Sequence, residues 1–151
     1  MRKRHPLDHN HEHLYTLFYH ALPNRFECFY CGSPAPDRDH CPPLSRVNDY
    51  KSLRLHREEY LKVPCCSECN QLLSNSLQEN IHERHDHVKR LLKKRYGKIY
   101  KMPYWEKSEI ATLGYNLQAE VRHGMRVFEA IESRLEYVRG VQAYYDREIK
   151  S

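Results

Sequence analysis

The sequence predicts an α+β fold that is mostly α: a small cysteine-bound centre, an N-terminal helix before it and a helical extension behind it. Three observations carry that expectation. Two Cys-x-x-Cys pairs, Cys28/Cys31 and Cys66/Cys69, bracket one short stretch. Pro34, Pro36, Pro42, Pro43 and Pro64 fall inside it and forbid long helices there. From Leu77 onward, apolar residues recur every three or four positions, the period of an amphipathic helix.

Each segment follows from its own pattern. Residues 1–27 form an N-terminal arm and helix. His5, His9, His11 and His13 read as a disordered start. A helix is then expected from about Glu12 to Ala21, with Leu14, Leu17, Phe18 and Leu22 on its apolar face and Pro23 as its stop. Residues 28–76 form the centre, with short strands around Arg38–Cys41 and Tyr60–Val63 and a helix starting near Asn70. Residues 77–105 are a basic helix, closed by Gly97, and a Met102–Trp105 connector. Residues 106–151 are helical from Ser108, as one long helix or a pair, with Gly124 and Gly140 as expected breaks. The stripe from Leu113 to Ile149 packs either on the body or as the seam of a homodimer.

Composition excludes several classes. The chain has 151 residues, 25 Lys and Arg, and 20 Asp and Glu, a net charge of +5. Mean hydropathy is -0.89. No stretch approaches the ~20 apolar residues of a membrane span, so no membrane partner is expected. With only 5 Gly there is no glycine-rich phosphate loop. Met1-Arg2-Lys3-Arg4 is not followed by an apolar run, so a cytoplasmic, reducing setting is expected. Six cysteines there read as metal ligands or free thiols rather than disulfides.

The charge is concentrated. Residues 84–101 hold 8 basic side chains (Arg84, Lys89, Arg90, Lys93, Lys94, Arg95, Lys98, Lys101) and one acid, Asp86, while the flanking parts are each close to neutral. A solubilising face normally mixes signs, so this block reads as a footprint for a polyanion. Six phosphate contacts on duplex DNA would give a slope of about -5 in log K against log[salt]. His82, His85 and His87 are expected as phosphate contacts or solvent-exposed groups. Tyr96, Tyr100, Tyr104 and Trp105 interleave with Lys98 and Lys101, a pattern that covers a small core or stacks on unpaired bases.

Two thiolate pairs at this spacing close a tetrahedral zinc site of four cysteines. Cys66 keeps the two-residue spacing to Cys69; Cys65 stands beside it as an alternative, and Cys41 reads as a packed thiol. Between the pairs lies Asp37-Arg38-Asp39-His40-Cys41-Pro42-Pro43. Phosphodiester hydrolysis needs a base for water and a cation for the developing charge. His40, with an ordinary pKa near ~6.5, suits the base. Asp39 offers hard oxygen to Mg2+ or Mn2+, and Asn70 offers a second oxygen or a helix N-cap. Neighbours on a strand face opposite ways, so Asp39 and His40 share a site only at a strand end or bulge.

Cys28-x-x-Cys31, Asp39-His40, Pro43 and Cys66-x-x-Cys69-Asn70 together resemble the HNH endonuclease superfamily. The pattern is closest to the recombination endonuclease VII group and small phage and bacterial HNH proteins, and it covers about residues 28–76. The resemblance implies a zinc-containing, treble-clef-like ββα-metal core and metal-dependent cleavage of DNA, with RNA also open. It implies His40 as general base, Asp39 and Asn70 on Mg2+ or Mn2+, and Cys28, Cys31, Cys66 and Cys69 on structural zinc. It also implies action in a bacterial or phage-infected cell and, for a dimer, cutting of branched DNA. Many HNH proteins carry a further Asn before the second knuckle; Glu59–Pro64 has none, and Asn48 is a weak substitute. A binding module with an inactive site is therefore the second reading.

Overall fold

The computed structural model describes residues 11–21, 26–47, 60–74, 76, 78 and 80–150. The expectations for His5, His9, Leu22, Pro23, Asn48 and Leu77 lie outside those residues. Three strands form one sheet in the order β1-β3-β2: β1 Thr16–Leu17, β2 Asp37–Cys41 and β3 Leu61–Cys65. β2 runs antiparallel to β3 and β1 parallel to it. The helices follow in order: α1 Ser67–Leu73, α2 Ile81–Arg95, α3 Gly97–Tyr100, α4 Lys107–Ile110, α5 Tyr115–Glu136 and α6 Arg139–Lys150. The fold is thus small, α+β and mostly helical. No helix among the described residues is long and apolar enough to cross a membrane.

The expected helix at Glu12–Ala21 does not form. Glu12–Leu14 is a single 3-10 turn, and the chain then extends into β1. Thr16 N–H donates to Tyr60 O and Phe18 N–H to Lys62 O, both at 2.8 Å. Aromatic and β-branched residues dominate here (Tyr15, Thr16, Phe18, Tyr19), and such side chains favour a pleated, half-buried surface. Tyr15 and Phe18 bury themselves against the sheet. Sheet pairing therefore outweighs a three-four spacing only four residues strong.

The strands expected around Arg38–Cys41 and Tyr60–Val63 are present as β2 and β3. They are antiparallel partners with Asp39 opposite Val63 and His40 opposite Lys62. The helix after the second knuckle begins earlier than Asn70: Cys66 is its N-cap, its Sγ accepting the Cys69 N–H. Asn70 lies inside α1, and its N–H donates to Cys66 O at 2.9 Å. It is therefore not the cap that its residue type suggests.

α2 is a core helix as much as a charged one. Asn80 caps it by accepting the Glu83 N–H, and Ile81, Arg84, His85, Val88 and Leu92 are buried along one face. Of the two expected breaks, Gly124 sits inside an unbroken α5 with open space around it, and the chain turns at Tyr137–Val138, just before Gly140. Tyr137 is held there: its hydroxyl donates to Glu27 Oε2 at 2.9 Å and takes a hydrogen bond from His20 Nε2 at 2.8 Å.

Two glycines weld this corner to the first knuckle. Gly32 has a φ of +76°, and a Cβ there would lie 2.5 Å from the Tyr137 ring. A Cβ on Gly140 would lie 2.3 Å from Phe29 O. Val141 joins the cluster of Cys28, Phe29, Leu61, Val63 and Val88, with Tyr144 packed beside it. α6 thus packs on the body, which answers that half of the C-terminal stripe. α5 buries only Met125 and Ile131 along its 22 residues.

Candidate functional site

The two knuckles converge. The sulfurs of Cys28, Cys31, Cys66 and Cys69 all lie within 4.8 Å of one another, and all four residues are buried. Cys31 Sγ and Cys66 Sγ are 3.6 Å apart. A tetrahedron with Zn–S of ~2.3 Å has edges of about 3.8 Å, so this spacing is compatible with a structural zinc. Their hydrogen bonds set the thiols against each other. Bonding to its neighbours pushes Cys28 up to about 12, while the bond from Cys28 holds Cys31 far down. Cys66 and Cys69 are likewise pushed far up, so Cys31 alone favours the thiolate unaided, and a soft cation is what would let all four sulfurs ionise together. Cys65 is not in the set: it ends β3, its Sγ donating to Cys66 O at 3.4 Å. Cys41 is buried apart from the four.

Asp39 and His40 stand mid-strand and near its end, and they face opposite ways, as the pleat dictates. Asp39 points inward and is 4% exposed. Arg84 clamps it with both arms, Nη2 to Oδ1 at 2.6 Å and Nε to Oδ2 at 2.9 Å. The Tyr30 hydroxyl donates to the same Oδ2 at 2.5 Å. Arg84 is 2% exposed. Burial works against its charge, but Asp39 outweighs burial and holds the guanidinium firmly protonated. The expectation of Arg84 as a phosphate contact is therefore corrected: its fork is spent on Asp39 and Gln78 O.

His40 lies on the other face, beside its cross-strand partner Lys62. Glu12 bridges the two, with Oε2 2.8 Å from His40 Nε2 and Oε1 2.7 Å from Lys62 Nζ. The Tyr15 ring meets His40 edge-on at 4.8 Å. Burial lowers the His40 pKa below its ordinary 6.5, and the Glu12 carboxylate only partly offsets that. Glu12 is itself drawn up by burial, yet Lys62 and His40 bring it below its usual value. The result is a neutral imidazole with Nε2–H aimed at a carboxylate, which leaves Nδ1 as the basic nitrogen.

A cleft of about 240 Å3 opens where β2 meets α1, and Arg38, Asp39, His40, Ser45, Asn70 and Arg84 all contribute to its lining. All three expected site residues border this space, but the Asp39 carboxylate and the His40 ring leave β2 on opposite faces, so the strand does not bring them together as the shared site expected of them. The donors do not fit a divalent ion as they stand. Asp39 has both oxygens on Arg84 and one also on Tyr30, and the guanidinium places its charge where the cation would sit.

The basic block divides in two. Lys89 is half-buried, donates to Arg134 O at 2.7 Å and is pushed down to about 8 by burial, so it ties α2 to the end of α5. Arg95 pairs with Glu68 at 2.9 Å. Arg90, Lys93, Lys94, Lys98 and Lys101 are exposed. Two histidines of α2 also turn inward: His85 is buried beside Tyr30, and His82 stacks on Tyr145 at 4.4 Å. Both depart from the phosphate-facing or solvent positions expected of them: His85 falls on the buried face of α2, and half-buried His82 packs on α6.

Sequence reasoning misses Glu12, Lys62 and Tyr30. Lys62 has a readable signal, since it falls opposite His40 once the two strands pair. Glu12 and Tyr30 have none, because their contacts form only in three dimensions. No known protein family, curated protein or solved structure matches the chain.

Proposed function

We propose that this protein is an HNH-type endonuclease that hydrolyses phosphodiester bonds in DNA, built on zinc held by Cys28, Cys31, Cys66 and Cys69. The observation that carries the reading is one cleft bordered by Asp39, His40 and Asn70, the last of which follows Cys69 of the four-cysteine cluster in α1. The topology supports it: two antiparallel strands followed by a helix, with the second cysteine pair at that helix's start.

Within this reading His40 is the general base. Glu12 fixes its tautomer and orientation, and burial keeps it neutral, so Nδ1 takes a proton from the attacking water. The water oxygen bonds to phosphorus, and the bond to the leaving 3′ oxygen breaks. Mg2+ or Mn2+ belongs to the reading as a cofactor on Asp39 and Asn70, where it would stabilise charge on the leaving oxygen. Its entry requires Arg84 to give up Asp39. The exposed cations from Arg90 to Lys101 hold the DNA backbone without choosing sequence.

The Asp39–Arg84 pair favours a second reading, a zinc-knuckle module that binds DNA without cutting it. Incubation with supercoiled plasmid and Mg2+ or Mn2+, beside a His40→Ala control, separates the two. Nicking by the wild type that His40→Ala abolishes supports the enzyme. Equal nicking by both proteins removes His40 as the base, and no nicking with either metal leaves the binding module.

A further inference from the structure

A second hollow lies in the C-terminal extension, far along the chain from His40. Its floor is Ile110 and Met125, both buried. Tyr104 and Trp105 form one wall: Trp105 N–H approaches Met125 Sδ at 3.4 Å, and the Tyr104 ring meets Phe128 edge-on at 6.2 Å. Lys107, Arg122 and Arg126 stand around it. The space is about 400 Å3, within the range of small-ligand sites.

Two features set it apart from a patch of core. Tyr104 is 59% exposed and Trp105 36%, although both residues contact α5. Arg122 and Arg126 lie one turn apart on α5, both exposed, and neither has an ion-pair partner among the described residues. Glu129 is the acid of the lining, against three cations. Open aromatic faces beside unspent positive charge suit a flat, π-faced, anionic ligand. Along the chain the hollow follows the exposed cations, since the Tyr104–Trp105 connector comes just after Lys98 and Lys101.

We propose that this hollow binds an unpaired nucleobase of a DNA strand, stacked on the Tyr104–Trp105 wall, with Lys107, Arg122 and Arg126 on the flanking phosphates. The ligand class rests on the nucleic-acid reading above, but nothing in it requires cleavage. DNA would then lie with its duplex on the α2–α3 cations and an unpaired base in the hollow. That arrangement selects junctions and gaps over continuous duplex.

Trp105 is the only tryptophan in the chain, so its fluorescence reports this hollow alone. The full-length, zinc-loaded protein is titrated with an oligothymidylate octamer and with an abasic octamer of equal charge, while anisotropy of a labelled oligonucleotide follows binding. Stacking predicts quenching by the thymidylate octamer, and about tenfold weaker binding with no quenching for the abasic one. Arg122→Gln/Arg126→Gln, at exposed positions, weakens thymidylate binding several-fold with an unchanged far-ultraviolet spectrum. Absence of quenching, equal quenching by both octamers, or wild-type affinity in the double variant overturns the proposal. So does a dimer whose formation alone quenches Trp105, which would mean that a second copy fills the hollow. Quenching that persists in a protein unable to nick plasmid leaves this site standing and removes only the nuclease.

Discussion

Replacing Arg84 with Met tests how firmly Asp39 is committed. The side chains of the pair are 3% and 5% exposed, so solvent screens their interaction very little. Arg84→Met removes a two-armed partner and leaves Asp39 buried with only the Tyr30 hydroxyl. Breaking one side of such a pair costs about 3–5 kcal/mol. For a chain of this size each kcal/mol moves the melting temperature by about 2–4 °C, so a fall of roughly 10 °C is expected. Asp39→Asn/Arg84→Met removes both charges and keeps an acceptor for Tyr30, so most of the loss returns. Urea denaturation of the zinc-loaded protein, followed by circular dichroism, measures all corners of the cycle. A single-variant cost below ~1 kcal/mol, or additive losses in the double variant, refutes a tight buried pair. The same Arg84→Met protein, now with a free carboxylate, should bind Mn2+ more tightly than wild type by electron paramagnetic resonance.

Three further outcomes follow from the geometry. Cys66→Ser should lose the metal and most folded structure while Cys65→Ser keeps both, read by zinc content and circular dichroism; the reverse pattern would move the ligand to Cys65. The five exposed cations predict a slope of about -4.5 in log K against log[salt] on duplex DNA, and Lys93→Gln/Lys94→Gln should flatten it by roughly two; a slope near zero would remove the α2–α3 surface from DNA binding. Gly32→Ala must force a Cβ into the Tyr137 ring at a positive φ, so it should destabilise by more than about 1 kcal/mol in urea, whereas Gly124→Ala, in open space inside a helix, should stabilise slightly.

The centre of the fold is legible in the sequence because its signals are local. Two Cys-x-x-Cys pairs, the clustered prolines and the short runs at Arg38–Cys41 and Tyr60–Val63 each act over a few residues. The N-terminal segment misleads because its strand exists only by pairing with β3, more than forty residues away. The basic block looks uniform because charge counts are blind to direction. Arg84 faces Asp39 and Lys89 faces the end of α5, while Arg90, Lys93 and Lys94 face solvent. Asn70 suggests an opening cap because cysteine is not among the preferred capping residues, yet the knuckle places the Cys66 sulfur in that role. Glu12 illustrates the remaining gap: nothing near it in the sequence announces His40.

The pH dependence of single-turnover plasmid nicking tests the central claim most directly. His40 must be neutral to take a proton, and burial lowers its pKa below 6.5. The rate should therefore fall as pH drops through a midpoint below 6.5 and stay flat above it, up to about pH 8. Glu12→Gln removes a carboxylate that favours the imidazolium, so it should lower the rate and shift that midpoint further down. His40→Ala should abolish both the rate and the acid limb. A His40→Ala protein that nicks at the wild-type rate, or with the same acid limb, would contradict the assignment of His40 as the base.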